Sequence, residues 1–178
     1  MDGQAQRMGD EWELRFERRL PHPVAKVWDA LTQPEQWKHW LAEGGQVDLR
    51  VGGRISMTGH GIESTITELD PPRLIAFGWN SFDWEGGIVR WELEPAEGGT
   101  QLVLTHRLKG MSQEQADEFR GRFDLPDGWK PVPSTLAGWH VLLDQLARAL
   151  DGHTDQLEHQ YWTKLNEEYA ERLGSQVT

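Results

Sequence analysis

The chain has 178 residues, a formal net charge of −11 and no cysteine. The length favours one domain, and the acidity argues against partners held by phosphate contacts, whether nucleic acid or an anionic membrane. The missing thiols exclude disulfide scaffolds, thiolate zinc sites, iron–sulfur clusters and cysteine nucleophiles.

A 37% hydrophobic fraction alongside 19 glycines is ordinary for a globular chain. A domain of this size buries roughly 70% of the surface its unfolded form exposes, enough for one sizeable core. The ten tryptophans stand out, because large aromatics collect where extensive apolar contact is combined with a polar handle, in a big core or a lined cavity. No apolar stretch approaches the roughly 18 residues of a membrane span, and the start MDGQAQRMGDEW lacks the basic and apolar regions of a signal peptide. A cytoplasmic protein without a membrane partner is expected.

Residues 1–10 are polar and aperiodic and predict a loose, disordered terminus. Alternation then begins, with Trp12, Leu14, Phe16 and Leu20 opposed to charged neighbours, as in a half-buried strand. Pro21 and Pro23 stop it, and Pro23 suits the first position of a short helix carrying Val24, Val27, Trp28 and Leu31. Thr32 with Glu35 suggests a capping box for a second short helix bearing Trp37, Trp40 and Leu41. From Val47 to about residue 108 the period is two. Short runs are broken by Gly52 and Gly53, Gly59 and Gly61, the Asp70, Pro71, Pro72 turn, Gly86 and Gly87, and Gly98 and Gly99, which predicts an antiparallel meander.

Ser112 with Gln115 predicts a capped polar helix over 112–122, followed by breakers at Pro126, Gly128, Pro131 and Pro133 in a stretch suited to a lid. Ser134 is then read as the cap of a long helix whose Leu136, Trp139, Leu143, Leu146 and Leu150 form one apolar stripe, ending at Asp151 and Gly152. Beyond residue 152 the period returns with Leu157, Tyr161, Leu165 and Leu173 on a largely charged helix. That helix is expected to be exposed or only intermittently docked, serving either as a homodimer seam or as a face that packs back on its own domain.

The order strand, two short helices, antiparallel strands and long helix buries both apolar surfaces if a curved sheet wraps the helix, an α+β helix-grip architecture. Five segments carry a family resemblance: RLPHPVAKVWDALTQPEQWKHWL at 19–41, VDLRVGGRISM at 47–57, ITELDPPRLIAFGW at 66–79, GGTQLVLTHRL at 98–108 and GWHVLLDQLARAL at 138–150. Together they resemble the activator of heat shock protein 90 ATPase homologue family of the START-like (SRPBCC) superfamily. The domain is accordingly read as 11–152, with an extra C-terminal helix over 153–178. The resemblance implies a scaffold around an apolar cavity, used elsewhere in the superfamily by lipid binders, polyketide cyclases, hydrolases and co-chaperone domains. Its motifs are structural: Gly52 and Gly53 turn a strand, and Gly138 is read as permitting close packing.

The leading reading is a binder of an apolar or aromatic small molecule, without cofactor, in a cavity between sheet and long helix. Its predicted lining is Met57, Phe77, Trp79, Trp91, Leu104, His106 and Trp139, with Trp37 and Trp40 near an entrance. The alternative is that these side chains simply fill a core. His106 sits at an inward phase of an aliphatic strand, where it would either orient a ligand or be neutral and hydrogen-bonded. His60 lies in a glycine-flanked turn. Asp83 and Glu85 flank Trp84 as a carboxylate pair, more simply read as solvated acids. Arg50, Arg54, Arg73 and Arg90 could receive an anionic group, or pair on the surface. His153 and His159 are too far apart for one helix face, no metal or nucleotide motif occurs, and no metal site is expected. Two further readings are a chaperone-interacting protein and a cyclase- or hydrolase-type enzyme. Against the former, the eukaryotic co-chaperone resembles this chain only in its C-terminal domain.

Overall fold

Period-two alternation along most of the chain produces an eight-stranded antiparallel sheet, in a computed structural model that describes residues 3–81, 84–122, 125 and 129–174. The strands are β1 Gln4–Met8, β2 Glu11–Leu20, β3 Gly44–Val47, β4 Arg54–Thr58, β5 Ile62–Asp70, β6 Leu74–Ser81, β7 Trp84–Ala96 and β8 Gly99–Lys109. The helices are α1 Val24–Thr32, α2 Pro34–Trp37, α3 Gln113–Arg122, α4 Pro131–Leu150 and α5 His159–Leu173. The sheet order is β1-β2-β8-β7-β6-β5-β4-β3, a meander from β3 to β8 whose last strand pairs with β2.

Register aligns the apolar phases of neighbouring strands into rows. Leu14, His106, Val89, Phe77 and Ile66 are successive cross-strand partners, and Phe16, Leu104, Trp91, Ile75 and Leu69 form the next row. This face packs on α4, whose Leu136, Trp139, Leu143, Leu146 and Leu150 are all buried. Each such side chain contributes roughly 1.5–3 kcal/mol of burial. The sheet, the two short helices and the long helix together are the helix-grip fold.

Several local expectations need correction. Residues 4–8 form an edge strand rather than a loose terminus, because β2 offers them a complete set of backbone partners. Thr32 ends α1 and donates its hydroxyl back to the Trp28 carbonyl (2.8 Å), so it does not cap α2, which starts after Gln33. Pro23 stands one position outside α1, as its N-cap. Leu49 and Val51 do not extend a strand but sit exposed in the β3–β4 loop, closed by Gly52 at φ +79°, a conformation glycine adopts without strain. The Ser112 box is real: the Ser112 amide donates to the Gln115 side chain (2.9 Å), and the Gln115 amide to the Ser112 hydroxyl (3.2 Å). Ser134, by contrast, lies inside α4, which starts at Pro131; proline is tolerated in a first turn, whose amides lack helical partners anyway. The Ser134 hydroxyl instead donates to Asn166 of α5 (3.0 Å).

The last helix is not the exposed one expected: it packs back on its own domain. Leu165, Tyr169 and Leu173 are buried, and polar groups fix the docking. Tyr169 is hydrogen-bonded to His140 Nδ1 (2.8 Å), and Tyr161 donates to Asp144 (2.7 Å), which also lies 3.6 Å from the Arg18 guanidinium. Burial, reinforced by the hydrogen bond to Asp144, pushes the Tyr161 phenol up to about 12. Buried Gln145 ties the α4–α5 connection: its amide nitrogen donates to the carbonyls of Asp155 (2.9 Å) and His39 (3.3 Å), and its oxygen accepts from the Leu157 amide (3.0 Å). His153 precedes α5 while His159 begins it, so the two do not share a helix.

Candidate ligand groove

The tryptophan-rich centre of the molecule is layered. Trp37 is fully buried, its indole N–H donating to the Leu31 carbonyl (3.0 Å), and Trp40 donates likewise to Ala30 (3.0 Å). Both are satisfied core residues, with Trp40 edge-on to Trp91 at 5.9 Å. Met57, Phe77, Trp91 and Leu104 are also buried, at 2% exposure or less. Trp91 meets Trp139 edge-on at 5.5 Å, and Trp139 lies 4.6 Å from Trp79. For these four the core-filling alternative describes their position.

His106 belongs to the same interior, with no exposed surface. Its Nδ1 accepts the indole N–H of Trp139 (2.9 Å), and its Nε2 lies 2.6 Å from the Gly86 carbonyl. A carbonyl only accepts, so Nε2 carries the proton and the imidazole is the neutral tautomer with both nitrogens engaged. Burial pushes its pKa down to about 4, against the opposing effect of the Gly86 hydrogen bond. Such a group neither reaches a substrate nor shuttles protons near neutrality. It does fix the indole plane of Trp139. The Gly86 carbonyl is available because β7 bulges there: Gly78 pairs with Ile88 and Asn80 with Glu85, leaving Trp79 opposite two glycines. A bulge re-aims the side chain beside it.

Trp40 borders a separate pocket of about 220 Å³ beside α1 and the end of α4, whereas Trp79 and Trp139 reach an aromatic groove. It lies on the flank of α4 and has a volume of about 200 Å³. Trp79 and His60 border it from the sheet side, Phe119 and Trp129 from α3 and the segment after it, and Pro131, Ser134, Thr135, Gly138, Trp139 and Leu142 from α4. Phe119 and Trp129 stack with centroids 5.4 Å apart and planes 20° apart. His60 packs 6.0 Å from Trp79, and its Nε2 donates to the Leu41 carbonyl (2.7 Å), which holds it at the rim. No Asp, Glu, Lys or Arg lines the groove among the described residues.

The sequence reading missed Phe119, Trp129 and the α4 flank. The signal existed: Thr135, Gly138 and Leu142 recur at i, i+3 and i+7 beside the apolar stripe, a second face of the same helix. The other candidates are not brought to the groove. Arg50 pairs with Asp48 (2.7 Å), Arg54 with Glu63, Arg73 with Asp70 (2.5 Å), and Arg90 with Glu68 (2.5 Å) and Glu92 (3.1 Å). Surface pairing is thus what these four arginines do. Asp83 and the side chain of Glu85 lie outside the described residues.

Comparison with known proteins then decides the family. The model of the family described as activator of Hsp90 ATPase homolog 1-like protein matches residues 21–151. The chain belongs to this family. No curated protein matches the sequence. Among solved structures, CalU16 from Micromonospora echinospora is 20% identical, with 98% of this chain and 95% of that one covered at a TM-score of 0.69. A conserved protein of unknown function from Enterococcus faecalis, EF2215, is 18% identical, covering 97% and 91% at 0.70. DynU16, from the dynemicin biosynthetic locus, is 21% identical, covering 82% of this chain and 49% of that one at 0.59. At such identities the likeness to these three is one of fold. No helix among the described residues is long and apolar enough to cross a membrane.

Proposed function

We propose that this member of the family binds a small, uncharged, planar aromatic molecule in the groove between Trp79, the Phe119–Trp129 stack and the flank of α4. The carrying observation is a groove walled by four aromatic rings and, among the described residues, no Asp, Glu, Lys or Arg, in a chain of net charge −11. Flat rings stack or meet edge-on with such walls at about 0.5–1.5 kcal/mol per pair beyond burial. An apolar cavity of roughly 150 Å³ holds benzene, so about 200 Å³ with an open side suits one or two fused rings. Covering some 200 Å² of apolar ligand contributes roughly 5 kcal/mol, and one or two stacking contacts bring this to about 5.5–8 kcal/mol before ordering costs, an upper bound on affinity of about 1–100 micromolar. That one neighbour in fold comes from a biosynthetic locus favours a small-molecule partner.

The test is a tryptophan-fluorescence titration against indole, 2-naphthol, flat polyketide-like compounds and a fatty acid. Saturable responses confined to flat aromatic members support the reading. A flat response to all of them, from protein shown to be folded, overturns it. A chaperone-contacting role is the second reading, favoured by the description of the family. Its test is co-purification with the cognate chaperone together with a change in that chaperone's ATPase rate.

A further inference from the structure

Glycine is among the poorest residues for a helix interior, yet Gly138 stands mid-way along α4. Close packing of another element is the usual reason for such a glycine, and it does not apply here. Apart from its chain neighbours and the backbone of α4 itself, a Cβ built on Gly138 meets no heavy atom of the described residues within 4 Å. The space in front of it is the groove, which Gly138 lines together with Thr135 one turn before and Leu142 one turn after. Thr135 and Leu142 lie about 10 Å apart along the helix axis, and between them the backbone is bare.

We infer that Gly138 is the specificity-determining position of the groove: its missing side chain is the notch in which a flat ligand lies against the helix backbone. The inference rests on the ligand reading above and adds what sets the permitted ligand size. A methyl group at 138 takes the place of ligand atoms, and a branched side chain fills the slot. Because that space holds no atom of the described residues beyond α4 itself, the same substitutions also relieve the helix of its glycine.

Stability and binding therefore move in opposite directions, which a purely structural glycine would not show. The experiment uses the full chain, with 2-naphthol as probe by calorimetry and the melting temperature measured alongside. Gly138→Ala is expected to raise the melting temperature and weaken 2-naphthol binding about tenfold, and Gly138→Leu to abolish it. The alanine variant carries the test even if the leucine variant folds poorly. Binding unchanged in Gly138→Ala overturns the notch while leaving the ligand reading intact, and so does a lowered melting temperature in that variant. Absence of wild-type binding to 2-naphthol and to every other aromatic probe overturns both.

Discussion

His106→Phe isolates the polar link inside the core. The ring is nearly isosteric, but the substitution leaves the Trp139 indole N–H and the Gly86 carbonyl unpaired in a buried site. Each orphaned group costs about 1–3 kcal/mol, partly offset by the more apolar ring, so a net loss of about 2–4 kcal/mol is expected at pH 7.5. The pH dependence is the sharper signature. The unfolded chain protonates this imidazole near 6.5, the folded chain only near 4. Between those values the unfolded state binds more protons, so this group's contribution is complete above pH 6.5 and is lost as pH falls toward 4. At about 1.4 kcal/mol per unit, the wild type loses some 2–3 kcal/mol through His106 by pH 4.5, and the variant loses none of it. Urea unfolding of both proteins at several pH values measures the gap, and titration of the shared carboxylates cancels in the difference. The gap should shrink by at least half between pH 7.5 and 4.5. A gap constant over that range would refute the buried, neutral, doubly bonded imidazole.

The other expectations concern the groove and the α5 clasp. Trp129→Ala removes a half-buried wall and should weaken binding of 2-naphthol at least fivefold by calorimetry, with the urea midpoint shifted little. Gln145→Ala strands the Asp155 carbonyl and the Leu157 amide at the α4–α5 connection, leaves the His39 carbonyl with only its long bond from Gln156, and should cost about 2–4 kcal/mol in chemical unfolding. Tyr169→Ala opens a cavity under α5 and should cost about 3–5 kcal/mol, with faster protease cleavage in the 153–158 segment seen by mass spectrometry. Arg54→Ala breaks an exposed pair with Glu63 and should leave the midpoint within about 0.5 kcal/mol of the wild type.

Much of the fold was legible because burial here follows strict periods. The phase of Leu102, Leu104, His106 and Leu108 gave the inward face of β8, and the stripe from Leu136 to Leu150 gave the gripped helix. What escaped depends on pairing rather than periodicity. Gln4–Met8 has only Ala5 and an exposed Met8 as apolar residues and a single half-buried position, so no alternation announces a strand; its cause is the open edge of β2. For α5 the period showed the apolar side of Leu165 and Leu173 but not that it stays docked, which depends also on polar contacts of Asn166, Tyr161, Tyr169 and Gln145. For the site, phase separates inward from outward but says nothing of depth. Trp37 and Trp79 look alike in sequence, yet one is sealed and the other borders the groove.

The pairing of β2 with β8 has a consequence for synthesis. Leu14 meets His106 across the sheet, about 90 residues later in the chain. At roughly 5–20 residues per second, the apolar row of Leu14, Phe16 and Leu20 waits some 5–18 seconds after leaving the ribosome before its strand partner exists, and longer before α4 follows. During that interval β3 to β6 are able to pair one after another as they emerge, while β2 remains unpaired on its β8 side. The nascent chain thus presents a sticky segment at its start that only the completion of the sheet retires, and a helper that shields residues 11–20 during translation would raise the folded yield without touching the finished protein.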